Sequence, residues 1–262
     1  MFLLAACVLS LSSCRIVSPK SYGEAKFKRV KVKPFRNINV AGSFNVVFEQ
    51  GERTGVAIKA PQELLDQVSI VSDGKTLVID TKERRAIFIK GGSIGYTEPV
   101  TVYVSAPDIN GIAVSGPTDF QVRSSLTTDN LKVSLTGSGD IDLRRVKCQS
   151  AELWLTGSGD MEMRPIEAET IKATLTGSGD ISVHAKDARM IETSVSGSGD
   201  VYVACLNCDQ GIAAVTGSGD IQFDGQINDV KQTVSGSGNI RVEKKANVAF
   251  LFEDNDSTLT DD

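Results

Sequence analysis

Leu135-Thr136-Gly137-Ser138-Gly139-Asp140-Ile141-Asp142-Leu143 decides the fold, because the chain keeps returning to it. Gly-Ser-Gly-Asp begins at Gly137, Gly157, Gly177, Gly197 and Gly217, and Gly-Ser-Gly-Asn follows at Gly236. The spacings are 20, 20, 20, 20 and 19 residues. A fixed period of that length is the mark of a repeat architecture. Degenerate copies stand at Ser115-Gly116-Pro117-Thr118-Asp119 and Ala41-Gly42-Ser43-Phe44-Asn45. Strand side chains point to opposite faces in turn, so the columns can be read by alternation. Before the turn stand Leu135, Leu155, Leu175, Val195, Val215 and Val234. After it come Ile141, Met161, Ile181, Val201, Ile221 and Ile240, then Leu143, Met163, Val183, Val203, Phe223 and Val242. Asp142, Glu162, Ser182, Tyr202, Gln222 and Arg241 lie between those two columns and are mostly polar. Each repeat therefore reads as strand, Gly-Ser-Gly turn, strand, with one face in and one out.

A repeat of this size is one coil of a parallel β-helix, with columns stacked at ~4.8 Å. A propeller blade needs four strands and about 40 residues, so the coil is preferred. The turn-forming glycines are Gly137 and Gly139, Gly157 and Gly159, Gly177 and Gly179, Gly197 and Gly199, Gly217 and Gly219, and Gly236 and Gly238. They permit a corner with positive φ. Thr136, Thr156, Thr176, Ser196, Thr216 and Ser235 form a hydroxyl column beside that corner. The expected fold is all-β, a single-stranded parallel β-helix of about 20 residues per coil. Residues 121–252 hold the repeats. An irregular N-terminal β region, 35–120, caps them and includes degenerate coils, because a solenoid has open ends. Its strand-like runs are Ile38–Phe48, Val56–Ala60, Thr76–Asp80 and Val100–Ser105, with one helical turn near Pro61–Asp66. Val248 to Phe252 would close the other end, ahead of an acidic disordered tail, 253–262.

The remaining segments bear on location. Met1 to Leu11 is apolar apart from Ser10, too short to span a bilayer and suited to a signal peptide, 1–13. Leu11-Ser12-Ser13-Cys14 resembles a bacterial lipobox, which implies lipidation of Cys14 and a tether over 14–34. The alternative is an ordinary secretory signal with an incidental cysteine. The chain has 33 acidic and 28 basic side chains, net −5, without the basic footprint of nucleic-acid binding. Basic residues cluster only from Lys26 to Lys33. Cys148, Cys205 and Cys208 are too few for a disulfide framework. Cys205 and Cys208 read as a local disulfide or as two packed thiols.

The chemistry-bearing column is Asp140, Asp160, Asp180, Asp200, Asp220, ending in Asn239. Stacked carboxylates at ~5 Å repel by under ~1 kcal/mol in water and by more when partly buried, so a ladder needs an offset. Two offsets are open. Calcium takes carboxylate and carbonyl oxygens. Alternatively each Asp accepts bonds from the backbone of its own corner. Calcium-binding β-rolls have a nonapeptide period, which does not match. Asp140 with Asp142, or Asp160 with Glu162, could serve glycoside cleavage. Recurrence at every coil speaks for a structural role. Arg144, Arg164 and His184 could bind an anion, and Trp154 could stack on a sugar or meet a neighbouring subunit.

Phe35-Arg-Asn-Ile-Asn-Val-Ala-Gly-Ser-Phe-Asn-Val-Val-Phe48, followed by serial Gly-Ser-Gly-Asp, resembles the putative auto-transporter adhesin, head GIN domain family of Bacteroidota envelope lipoproteins. The resemblance covers about Phe35 to Val242 and implies a right-handed single-stranded β-helix in the cell envelope. It brings no catalytic motif and no cofactor. The expected function is a non-enzymatic, lipid-anchored adhesin or ligand-binding solenoid, binding a glycan or an envelope or host protein. The alternatives are a β-helix carbohydrate-active enzyme and a homo-oligomeric scaffold. No acidic residue directly follows Cys14, so the periplasmic face of the outer membrane is favoured over the cell surface.

Overall fold

A computed structural model describes residues 24–82 and 100–245. Cys14, the signal segment, the Val248–Phe252 closure and the acidic tail lie outside the described residues.

The N-terminal part holds β1 (Ala25–Val30), β2 (Asn37–Ala41), β3 (Asn45–Gln50), β4 (Gly55–Pro61), the single helical turn α1 (Gln62–Leu65), β5 (Val68–Ser72), β6 (Thr76–Thr81), β7 (Thr101–Ala106), β8 (Gly111–Ser115), β9 (Asp119–Val122) and β10 (Leu126–Thr127). The repeats follow as β11 (Asn130–Gly137), β12 (Ile141–Lys147), β13 (Ser150–Gly157), β14 (Met161–Glu167), β15 (Thr170–Gly177), β16 (Ile181–Lys186) and β17 (Met190–Gly197). Then come β18 (Val201–Gly217), β19 (Ile221–Gly236) and β20 (Ile240–Lys244).

The result is the expected parallel β-solenoid. Strands before the corner stack as β8, β11, β13, β15 and β17, all parallel and in register. Strands after it stack as β9, β12, β14, β16 and β18. Before the corner the register of the middle coils holds at 20 residues, so Leu135 lies on Leu155 and Leu155 on Leu175; after it, β14 and β16 slip by one residue between Met163 and Ile166. The three apolar columns are buried from the first full repeat through Ile221 and Phe223. Stacking like on like lets every coil reuse one packing solution, at ~4.8 Å per step. Ile240 stays buried, but the last members of the other two columns differ. Val234 is 45% exposed and Val242 only partly buried, because the described coils end there.

The single 19-residue spacing has a local cause. Cys205 faces Gly225 but Cys208 faces Ile227, so two residues of β18 oppose one of β19. The missing residue is absorbed in that bulge, away from the Gly-Ser-Gly corner, which stays in register at Gly217 and Gly236.

The cap departs from the expected order in two ways. Ile38–Phe48 is two strands, β2 and β3, broken at a corner with Gly42 at φ 141°. That corner stacks under Gly116, so both degenerate copies are true coils. In space, β2 lies between β6 and β8, and β3 between β7 and β9. The chain thus lays down one coil, builds the cap outside it, and crosses back to continue. The stretch 14–34, expected to be a tether, contains β1, which pairs antiparallel with β4; β4 pairs antiparallel with β7. Antiparallel strands and α1, with Leu64 and Leu65 buried, close this end of the core.

Candidate functional site

The feature that recurs at every coil is the polar edge formed by Thr-Gly-Ser-Gly-Asp. Its backbone is nearly saturated by its neighbours. The Gly137 carbonyl accepts from the N–H groups of Ser158 (2.9 Å) and Gly159 (3.2 Å). The Gly157 carbonyl accepts likewise from Ser178 (2.8 Å) and Gly179 (3.2 Å). From the corner at Gly157 onward, one donor per corner has no backbone acceptor: the N–H of the aspartate, or of Asn239 in the last.

The aspartate of the preceding coil supplies one. Asp160 N–H donates to Asp140 Oδ1 at 3.0 Å, Asp180 to Asp160 at 3.0 Å, and Asp200 to Asp180 at 2.8 Å. Asp220 donates to Asp200 at 2.7 Å and Asn239 to Asp220 at 2.8 Å. Asp140 donates to Asp119 at 3.4 Å, so the degenerate copy starts the ladder. This corrects one expectation: the bond runs between coils rather than within a corner. An ionised acceptor makes a stronger bond than a neutral one and offsets the like-charge spacing. Asn239 closes the described ladder as its last donor.

This arrangement predicts an asymmetry between two substitutions. Asp180→Ala leaves the Asp200 N–H without its acceptor and costs about 1–3 kcal/mol. Asp180→Asn keeps an oxygen there and costs less than half as much. Urea denaturation of the two variants checks it, and equal losses would count against the ladder.

Around the bonded carboxylates the edge is exposed at Thr136, Ser138, Asp140 and their counterparts through Asp200. The next outward column carries Ser134, Trp154, Thr174 and Ser194 in register. Lys132 Nζ lies 5.9 Å from the Trp154 ring centroid, so the indole is covered by its own chain on that side. Ion pairs join successive coils on the flanks, as in Lys147–Glu167 at 2.8 Å and Lys172–Glu192 at 3.0 Å.

Other expected groupings come out differently. Arg144 pairs with Asp142 at 3.2 Å and Arg164 with Glu162 at 2.8 Å, so both guanidinium groups are already matched to a carboxylate. His184 meets the Tyr202 ring edge-on at 6.3 Å. The acid pairs considered for glycoside cleavage are divided between the ladder (Asp140, Asp160) and these ion pairs. Among the described residues no three His, Cys, Asp or Glu side chains converge on a metal-sized site. Cys205 and Cys208 are buried free thiols on either side of the bulge. The hydrogen bond to Cys208, and burial, push the Cys205 thiol up; the same bond holds Cys208 down.

Alternation alone did not reveal Asp224. It occupies the column of Arg144, Arg164, His184 and Ala204, and it is buried. Gln222 Nε2 donates to it at 2.9 Å and Lys245 Nζ at 2.7 Å. Burial would raise its pKa, but the bonds from Lys245, Gln222 and Tyr202 outweigh it and hold the carboxyl low. The legible signal was the switch of this column from basic or small residues to acids, Asp224 and then Glu243, with Gly225 beside the first. A cavity of about 210 Å³ lies at the cap, lined by Phe44, Leu64, Val68 and Val100 with polar Ser43, Asn45, Gln67 and Asp119. That is below the ~300–1,000 Å³ usual for small-molecule pockets.

No curated protein matches the chain. Several crystal structures share the fold. A putative adhesin from Bacteroides fragilis is 24% identical over 84% of this chain and 97% of its own, with a TM-score of 0.71. A putative lipid binding protein from Parabacteroides distasonis is 20% identical over 84% and 97%, with a TM-score of 0.66. A putative adhesin from Parabacteroides merdae is 20% identical over 84% and 96%, with a TM-score of 0.61. The family described as putative auto-transporter adhesin, head GIN domain, matches residues 34–204 and 186–247. With most of its length and its repeated corner so matched, the chain belongs to the putative auto-transporter adhesin, head GIN domain family.

Proposed function

We propose that this protein is a non-enzymatic cell-envelope lipoprotein, anchored through Cys14, whose solenoid edge is an adhesive surface for a glycan or an envelope or host protein. The observation that carries the reading is the exposed Thr-Gly-Ser-Gly-Asp edge, repeated at ~4.8 Å per coil on a stiff stack. Such an array offers the same hydroxyls and carboxylates many times over. That suits a long or repetitive partner engaged at several weak points, where multivalency supplies the affinity. The family assignment supports the envelope setting, and the lipobox resemblance supports the anchor.

Glycan and matrix-protein arrays, run with and without calcium, test it. Retention of a ligand is expected, together with at least a tenfold loss for the double variant Thr156→Arg, Thr176→Arg. Both positions are exposed, so the core is untouched. A calcium requirement would assign the aspartate ladder a metal as well. Cleavage of an arrayed glycan, or retention unaffected by the two arginines, would overturn the reading.

A further inference from the structure

We propose that β1 and the residues just after it form a membrane-facing surface that binds anionic phospholipid headgroups. Lys26, Lys28, Arg29, Lys31 and Lys33 put five cations into eight residues with no acid among them, in a chain of net charge −5. All five are exposed. β1 is an edge strand: β4 pairs one side, and no other described strand pairs with it. Register places Phe27 opposite Lys59, Arg29 opposite Ala57, and Ala57 opposite Tyr103, so these side chains share one face. Phe27 is 68% exposed, its ring centroid 6.0 Å from that of Tyr103 and 6.0 Å from Lys59 Nζ.

Cations on an edge strand also keep it from pairing with a second copy. That accounts for the lysines but not for the exposed phenylalanine among them, which by itself would favour association. Alternation turns Lys26 and Lys28 to the other side of the strand from Phe27, Arg29 and Lys59, so the cations flank the ring from both sides of the free edge. Cations flanking an exposed aromatic are what an anionic bilayer surface selects: the charges meet the headgroups and the ring enters the interface. The surface also lies at the right end. Cys14 is twelve residues before Lys26, and twelve extended residues reach at most about 40 Å. The proposal deepens the envelope reading by setting the cap on the bilayer and the coils away from it. It does not need the lipid anchor.

The test uses residues 15–262, which keep every described strand and lack Cys14. This chain is co-sedimented with vesicles of phosphatidylcholine alone and with vesicles about one-third phosphatidylglycerol. Binding is expected only to the anionic vesicles, weakening as salt screens the headgroups. Each cation near such a surface contributes about fivefold, so Lys26→Gln, Lys28→Gln and Arg29→Gln together should weaken binding about a hundredfold. The corresponding glutamate triple variant should abolish it, and circular dichroism checks that both keep their strands. Equal binding to neutral vesicles, no binding to anionic ones, or wild-type binding by the glutamine variant would each overturn the proposal. Incorporation of labelled palmitate by the full chain and its Cys14→Ser variant examines the anchor separately, so the two ideas fail independently.

Discussion

Gly179→Ala is expected to destabilise the solenoid by about 4 kcal/mol or more, a range reached only when backbone must move. A Cβ at Gly179 would overlap the Gly159 carbonyl oxygen and sit 3.0 Å from the Gly159 and Ser158 carbonyl carbons. Those atoms belong to a corner held by its own cross-coil hydrogen bonds, so no flexible side chain can move aside. Gly177 is glycine for a further reason: its φ is +133°, a region side chains resist, besides the close approach of Gly157. The two glycines of one turn are therefore required on different grounds. Ser178→Ala, exposed between them, should stay within about 0.5 kcal/mol of the parent. Urea denaturation followed by circular dichroism measures all three, and a Gly179→Ala loss under about 1 kcal/mol would mean that the corners are not stacked this tightly. Because coils contact mainly their neighbours, the loss should spread to the coils on either side.

Phe223→Ala carries the second large effect, about 3–5 kcal/mol. Phe223 is fully buried between Val203 and Val242 in the inner column and is one of the largest enclosed side chains. Truncation leaves a cavity between strands whose register cannot shift without breaking the ladder on both sides. Val234→Ala is the contrast. By sequence Val234 belongs to a core column with Leu175, yet it is 45% exposed and should cost under about 1 kcal/mol. Thermal denaturation of both variants decides the matter, and similar losses would show that Val234 is packed in the core at the end of the stack.

The polar edge was legible as columns, because the period places each Thr, Ser and Asp above its like. Its hydrogen bonding was only half legible. That each aspartate needs a donor follows from the charge it carries. That the donor is the N–H of the next coil follows from which corner amide lacks a backbone acceptor, a fact visible only with the coils stacked. Arg144 and Arg164 looked like a cationic column because alternation does not say that Asp142 and Glu162, two residues earlier, would fold onto them. Asp224 gained Lys245 as a partner from 21 residues away, across coils.

By itself the sequence determined the coil length, the register between the corners, and which side chains face in through the middle coils; it did not mark Val234 as exposed or Asp224 as buried. A twenty-residue period with apolar columns has one economical solution: each coil laid on an identical one, where a shift of one residue would turn the core outward. The tertiary structure alone decided the order of the first coils. β2 and β3 come early in the chain yet sit between later strands, and β1 joins the cap antiparallel at its edge. The physical reason is that strand alternation is the same whichever neighbour a strand takes and in whichever direction it runs. Where the repeat degenerates, pairing is settled by long-range closure of the core, and the local sequence carries no mark of it.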